Sequence, residues 1–269
     1  MNLKSEETGA DWILADPWPQ LRRFTQARLA LGRTGDSLPT QAVLEFGLAH
    51  ARARDAVHAP LSQELLRAAL REAGFESLAV RSAVSNRREY LRRPDLGRRL
   101  GEEDRVRISG LASQKPDVVV MIADGLSAEA AMRHAVPVFL ELLPKLAGWN
   151  VGPVIIAEQA RVALGDEIGE LLGARQAVML IGERPGLSSP DSLGIYLTYL
   201  PKVGRTDAER NCISNVRPEG LGYGVAADKL HRLMLGARRL GLSGTGLKDE
   251  GETDLPRVSQ IKDSRALSP

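Results

Sequence analysis

A single cysteine, Cys212, occurs among the 269 residues. An internal disulfide is therefore excluded, and the composition fits a reducing compartment. Aromatic residues are scarce at 4%, and the formal net charge is only +2. So small a charge gives no footing to a nucleic-acid partner or an anionic membrane surface. No apolar run approaches the ~18 residues that a bilayer-spanning helix needs. The first residues, MNLKSEETGADW, lack the apolar stretch of a secretory signal. There is no G-x-x-x-x-G-K-[ST] phosphate loop, and Gly241, Gly244 and Gly246 follow a helical stretch in the wrong order for a dinucleotide fingerprint. The four histidines, His50, His58, His134 and His231, pair with no cysteine or carboxylate at ligand spacing. No metal site is expected, and His134 and His231 read as helix-surface residues. These absences leave a soluble, cytoplasmic protein, 43% hydrophobic and long enough to bury roughly 70–75% of its unfolded surface.

Residues 1–16 are polar and read as a loose amino-terminal segment. Residues 17–112 read as a mostly helical amino-terminal domain. Leu21, Phe24 and Leu29 fall near helical spacing. A helix is predicted over Thr40–Val57, with Thr40 as N-cap and Val43, Leu44, Phe46, Gly47 and Ala51 as its buried stripe. Another runs from Ser62 to Ala73 and closes at Gly74. A short extended piece, Ser77–Val80, follows, and Pro94 suits the first turn of a helix from Asp95 to about Gly110. Arg87 to Arg107 holds eight arginines against five acids. That density suits a solvated face or a charged seam against another protein.

The pattern changes at Lys115-Pro116-Asp117. Val118–Ile122, Val154–Ala157 and Ala177–Ile181 are short, unbroken apolar runs, the mark of strands covered on both faces. Helices are predicted between them, over Ala128–Ala147 (kinked or split by Pro137) and Asp166–Leu172 (closed by Gly173). Ile195–Leu200 and Cys212–Val216 read as further strands, and Gly224–Leu240 as a last helix. The expected fold class is α/β: a Rossmann-like, mainly parallel sheet with helices on both faces, over residues 113–246 and preceded by the helical domain. Residues 247–269 read as a polar tail.

In such sheets ligands bind beyond the carboxyl ends of the strands. Three features fall there: Arg161-Val162, Gly182 to Gly186, and Arg210 to Asn215. Together they offer one carboxylate (Glu183), backbone groups freed by glycine, an apolar contact and a small thiol. That set suits a large ligand bearing many amides; a phosphate would be repelled by Glu183. Gly125-Leu126-Ser127 resembles half of a nucleophile elbow, but Glu129 stands where the second glycine belongs. Ser127 therefore reads as a helix cap. No acid–base or nucleophile set is visible, so no catalytic residue is assigned to this chain.

The segments RRPDLGRRL (92–100), IADGLSAEA (122–130), GDEIGELLGA (165–174), IGERPGLSSPDSL (181–193) and RNCISN (210–215) resemble the small subunit of ethanolamine ammonia-lyase. The likeness runs from about residue 17 to about residue 240. It implies an adenosylcobalamin-dependent lyase that converts ethanolamine to acetaldehyde and ammonia by a radical route. It further implies a large subunit, a (β/α)₈ barrel that binds substrate and carries the catalytic residues, with the corrin between the two chains and six copies of each in the assembly. The family's cobalamin contacts, carried over by position, fall on Val162, Glu183 and Cys212. Val162 would pack on the corrin or offer a main-chain group, Glu183 would accept hydrogen bonds from a side-chain amide, and Cys212 would be a packing contact. Arg161 and Arg184 are lesser candidates. The cofactor's own dimethylbenzimidazole would be the lower ligand, since no D-x-H-x-x-G motif occurs here. Some family members carry a longer amino-terminal extension associated with a bacterial microcompartment; only about a dozen polar residues precede the body here, so the cytoplasm is the favoured location. Two other readings are a free-standing Rossmann-like nucleotide- or phosphate-binding module and a hydrolase built on Ser127. The missing phosphate motif disfavours the first, and the lack of a histidine partner the second.

Overall fold

A strand that is apolar at every position needs cover on both faces, and Val118–Ala123 (β2) receives it along its whole length. So does Gln176–Gly182 (β4). In the computed structural model, which describes residues 12–112 and 115–249, these two strands form the middle of one sheet. The loose amino-terminal segment and the tail suggested by the sequence fall largely outside the described residues.

The sheet has six strands in the order β1-β3-β2-β4-β5-β6. The others are β1 (Ser77–Arg81), β3 (Val154–Glu158), β5 (Leu193–Tyr199) and β6 (Arg210–Val216). The first four in this order run parallel, while β5 pairs antiparallel with β4, and β6 antiparallel with β5. The fold is thus mixed α/β with a mostly parallel sheet. Seven α-helices accompany it among the described residues: α1 (Thr40–His58), α2 (Gln63–Glu72), α3 (Arg87–Arg92), α4 (Glu102–Ser109), α5 (Ala128–Leu142), α6 (Leu164–Leu172) and α7 (Tyr223–Leu240). Leu66 and Leu70 of α2, Phe139 of α5 and Leu230 of α7 pack with Val118, Val120 and Ile122 on one face. Leu164, Ile168 and Leu172 of α6 and Ile108 of α4 pack with Val119 and Met121 on the other.

The crossover through α5 leads from β2 to β3 on one side, and the crossover through α6 returns to β4 on the other. The carboxyl ends of β2 and β4 therefore form the switch point of the sheet. Here they are fused. Leu126 N–H donates to the carbonyl of Gly182 at 3.0 Å. A Cβ on Gly125 (φ +52°) would run into that carbonyl, and one on Gly182 would run into the carbonyl of Ser127. Glycine at both positions allows this backbone contact, and it shuts the crevice between the two strands.

Several local expectations change. The helix over Thr40–Val57 exists, but Pro39 precedes it and no side chain caps it. Its predicted buried stripe is bare: Val43, Leu44 and Phe46 are 51%, 67% and 48% exposed, and Ala56 is its one buried residue. The helix predicted over Asp95–Gly110 is broken, because Leu100 bridges Ser82 in extended form and α4 starts only at Glu102. The arginine-rich stretch contributes α3, capped by Asn86. Pro137 does not split α5, which is unbroken to Leu142 and continues as a 3₁₀ turn over Leu143–Leu146.

Candidate functional site

With α7 packed beneath β5 and β6 on one face, the opposite face of these two strands carries Gly194, Tyr196, Cys212 and Ser214. Cys212 is exposed there, directly across from Tyr196. Helix α6 reaches only the near edge of this surface, where Asp166 and Arg210 form an ion pair with each side chain 2% exposed. The outcome is a shelf at the sheet edge: Cys212 and Ser214 on β6 are exposed, Tyr196 is half-buried, and Gly194 and Thr198 on β5 are buried.

Glu183 lies at the rim. It continues β4, its N–H donating to the carbonyl of Ser192 at 2.9 Å. Its Oε2 accepts the hydroxyl of Ser192 and the N–H of Asn215, the latter at 3.2 Å. Asn215 (φ +59°) sits where the β5–β6 register slips, a bulge that turns this N–H toward the carboxylate. The missing Cβ of Gly194 would stand 3.1 Å from both Cγ and Oε1 of Glu183. Glycine at this position lets the carboxylate lie flat on the strand. Oε1 has no donor among the described residues.

Val162 is half-buried at the entry to α6 and packs on the same apolar cluster as Tyr196. The carbonyls of Arg161 and Val162 accept the N–H groups of Leu164 and Gly165 at 2.9 and 3.0 Å. The N–H of Val162 has no acceptor among the described residues, as is common at the start of a helix. Val162, Glu183 and Cys212 thus share one side of the sheet.

Arg161 and Arg184 do not join them in the same way. The Arg161 guanidinium lies 4.2 Å from the centre of the Tyr90 ring, and its Nη2 donates to the Tyr90 carbonyl at 3.3 Å. Arg184 is exposed. Ser127 is a cap, its Oγ accepting the N–H of Ala130 at 3.3 Å and donating to the carbonyl of Pro190 at 3.0 Å. His134 is not a surface residue: it is 4% exposed, its Nδ1 meets the Tyr223 hydroxyl at 2.8 Å, and burial lowers its pKa. His231 is half-buried, with its pKa lowered by burial and by Lys145.

Electrostatics follow burial. The Tyr196 hydroxyl is pushed well above the usual phenol range by burial first and by the neighbouring Cys212 thiol second; it stays a neutral donor or acceptor. Burial raises Asp124 to about 6 against Arg87 and the N–H groups of Ala160, Gln159 and Gly125. It raises Asp166 to about 6 against Arg210. Among the described residues no group of three or more His, Cys, Asp or Glu is placed to hold a metal ion, and no helix is long and apolar enough to cross a membrane.

Tyr196, Ser192 and Gly194 surround the candidate site but are not singled out by the sequence, and Asn215 enters there only as the end of the Arg210 to Asn215 stretch. The signal for Tyr196 is the alternation along β5, where Leu193, Ile195 and Leu197 point to the cluster beneath α7 and Gly194, Tyr196 and Thr198 to the opposite face of the sheet.

These features define an open-sheet α/β protein that exposes Cys212 and Ser214, with Glu183 at the rim, on one face of its antiparallel edge. A family model for the ethanolamine ammonia-lyase light chain matches residues 15–248. The ethanolamine ammonia-lyase small subunit of Pseudomonas fluorescens Pf-5 is 53% identical over 262 residues, covering 94% of this chain and 96% of that protein. That of Azotobacter vinelandii is 57% identical over 242 residues, covering 88% and 90%. That of Pseudomonas putida KT2440 is 56% identical over 242 residues, covering 88% and 89%. The chain belongs to the ethanolamine ammonia-lyase small-subunit family.

Proposed function

We propose that this chain is the non-catalytic half of an adenosylcobalamin site in an ethanolamine ammonia-lyase, with the shelf covering one side of the corrin. The large subunit, a barrel, closes the other side and holds ethanolamine and the catalytic groups, in an assembly with six copies of each chain. The sheet is read as Rossmann-like, with its ligand moved from the fused switch point onto the face of β5 and β6.

The observation that carries this reading is the divided carboxylate of Glu183. Oε2 is anchored by Ser192 and Asn215, so Oε1 is fixed in place with no donor of its own among the described residues. A corrin is rimmed with amide side chains, whose N–H groups are suitable donors to a fixed carboxylate oxygen. The unpaired N–H of Val162 suits an amide carbonyl on the same periphery. Cys212 and Tyr196 add a flat, largely apolar floor, so the residues fit the group.

When bound, adenosylcobalamin supplies the radical chemistry for the rearrangement of ethanolamine to acetaldehyde and ammonia. The residues of this chain bind, orient and keep water from one side of the site. The test is co-expression with the large subunit. Wild-type pairs should form acetaldehyde only with adenosylcobalamin, and Glu183→Ala should weaken cobalamin binding about tenfold without loss of assembly. Full activity of the large subunit alone would end this reading.

A further inference from the structure

Asp124 stands just beyond β2, and its side chain is 3% exposed. Its Oδ1 accepts the N–H of Ala160 at 3.1 Å, and its Oδ2 accepts the N–H of Gln159 at 3.0 Å. Both donors lie in the turn between β3 and α6, immediately ahead of Val162. The same Oδ2 takes Nη1 of Arg87 at 3.1 Å, while Arg87 Nε donates to the carbonyl of Val57 at 2.7 Å. From above, the Tyr90 hydroxyl donates to the carbonyl of Ala160 at 2.9 Å, and the N–H of Arg161 donates to the carbonyl of Gly97 at 2.8 Å.

Gln159 has φ +54°, in the left-handed region that a glutamine enters at a cost. Such a conformation persists where its surroundings over-determine it, and the two acceptor oxygens of Asp124 do so here. From Gln159 to Arg161 every main-chain N–H is held; the next one, on Val162, is free among the described residues.

We propose that Asp124 is a positioning residue for the cofactor: through Gln159 and Ala160 it fixes where the Val162 N–H sits, on the side of the sheet that carries the shelf. This rests on the cofactor reading of that shelf. Asparagine has nearly the same shape but offers one acceptor oxygen and an NH₂ group. In Asp124→Asn that NH₂ would face a donor, either a loop N–H or Arg87, and the turn would relax.

The assembled complex with the large subunit is the sample, and equilibrium dialysis with cyanocobalamin is the main readout. For Asp124→Asn the Kd should rise about tenfold, with assembly unchanged and faster amide exchange across residues 159–163. The KM for ethanolamine should stay within about twofold at saturating adenosylcobalamin. Tyr90→Phe, which frees only the Ala160 carbonyl and leaves no buried charge, should raise the Kd about threefold, and it carries the test if Asp124→Asn does not assemble. If Glu183→Ala weakens binding while Asp124→Asn or its substitute leaves it at the wild-type value, the positioning role is overturned and the shelf reading stands. If none of the variants changes the Kd, the shelf reading itself fails. A KM for ethanolamine that rises in step with the cobalamin Kd would mark a general structural role and overturn the inference.

Discussion

Asp166 on α6 and Arg210 on β6 are bonded to each other where water does not reach, each side chain being 2% exposed. The pair ties the helix that follows Val162 to the strand that carries Cys212. A buried pair of this kind adds little net stability, but breaking it leaves a charge stranded, typically at a cost of about 3–5 kcal/mol. Arg210→Met should therefore lower the unfolding free energy by about that amount in urea titrations. Asp166→Leu combined with Arg210→Met should recover most of the loss. A single-variant cost below about 1 kcal/mol would show that the pair is solvated in solution.

The same pair has a pH signature. Burial raises the Asp166 pKa from 3.8 to about 6 in the folded chain. The folded state then binds a proton more tightly than the unfolded state, so this contribution to stability is full below about pH 4 and falls as pH rises through about 6. Its size is on the order of 1–3 kcal/mol. Relative to Asp166→Asn, the wild type should lose stability between pH 4 and pH 7. Asp124, with its pKa also raised to about 6, acts in the same direction, so the comparison is made against the single variant. A wild type that gains on the variant across this range would reverse the sign.

At the rim of the shelf, Gly194 gives Glu183 its room. With Cγ and Oε1 of Glu183 3.1 Å from where a Cβ would lie, Gly194→Ala must lift the carboxylate by a few tenths of an ångström or turn it. The strand geometry itself accepts alanine, so stability should change by no more than about 1 kcal/mol. Cobalamin affinity in the assembled complex should fall about three- to tenfold. Unchanged affinity would mean that Oε1 is not the contacting atom.

How much of this was legible beforehand depended on what each signal records. Strands β2 and β4 read directly, because a strand covered on both faces writes its burial as an unbroken apolar run. Val162, Glu183 and Cys212 were singled out through the motifs that hold them. Their shared side of the sheet came only with the structure, as did Asn215, whose turned N–H depends on a register slip between β5 and β6. His134 looked like a surface residue because its partner, Tyr223, is 89 positions away. The helix predicted from Asp95 to Gly110 failed for the same reason: the pairing of Leu100 with Ser82 is tertiary and overrides local propensity.

Helix α1 taught the opposite lesson. Its periodic apolar positions record that a face is to be covered, without saying by what. In this chain Leu44 and Phe46 remain 67% and 48% exposed, whereas Leu66 on α2 is 1% exposed. The energetic consequence is measurable. Leu66→Ala removes a packed side chain and should cost about 2–5 kcal/mol. Leu44→Gln swaps one good helix former for another on an open surface and should change the stability of the chain by no more than about 0.5 kcal/mol. Denaturant midpoints of the two variants, read on the chain without its large subunit, decide the matter. A Leu44→Gln cost approaching that of Leu66→Ala would mean that α1 is folded back onto the body in solution, and that its apolar face is part of the core.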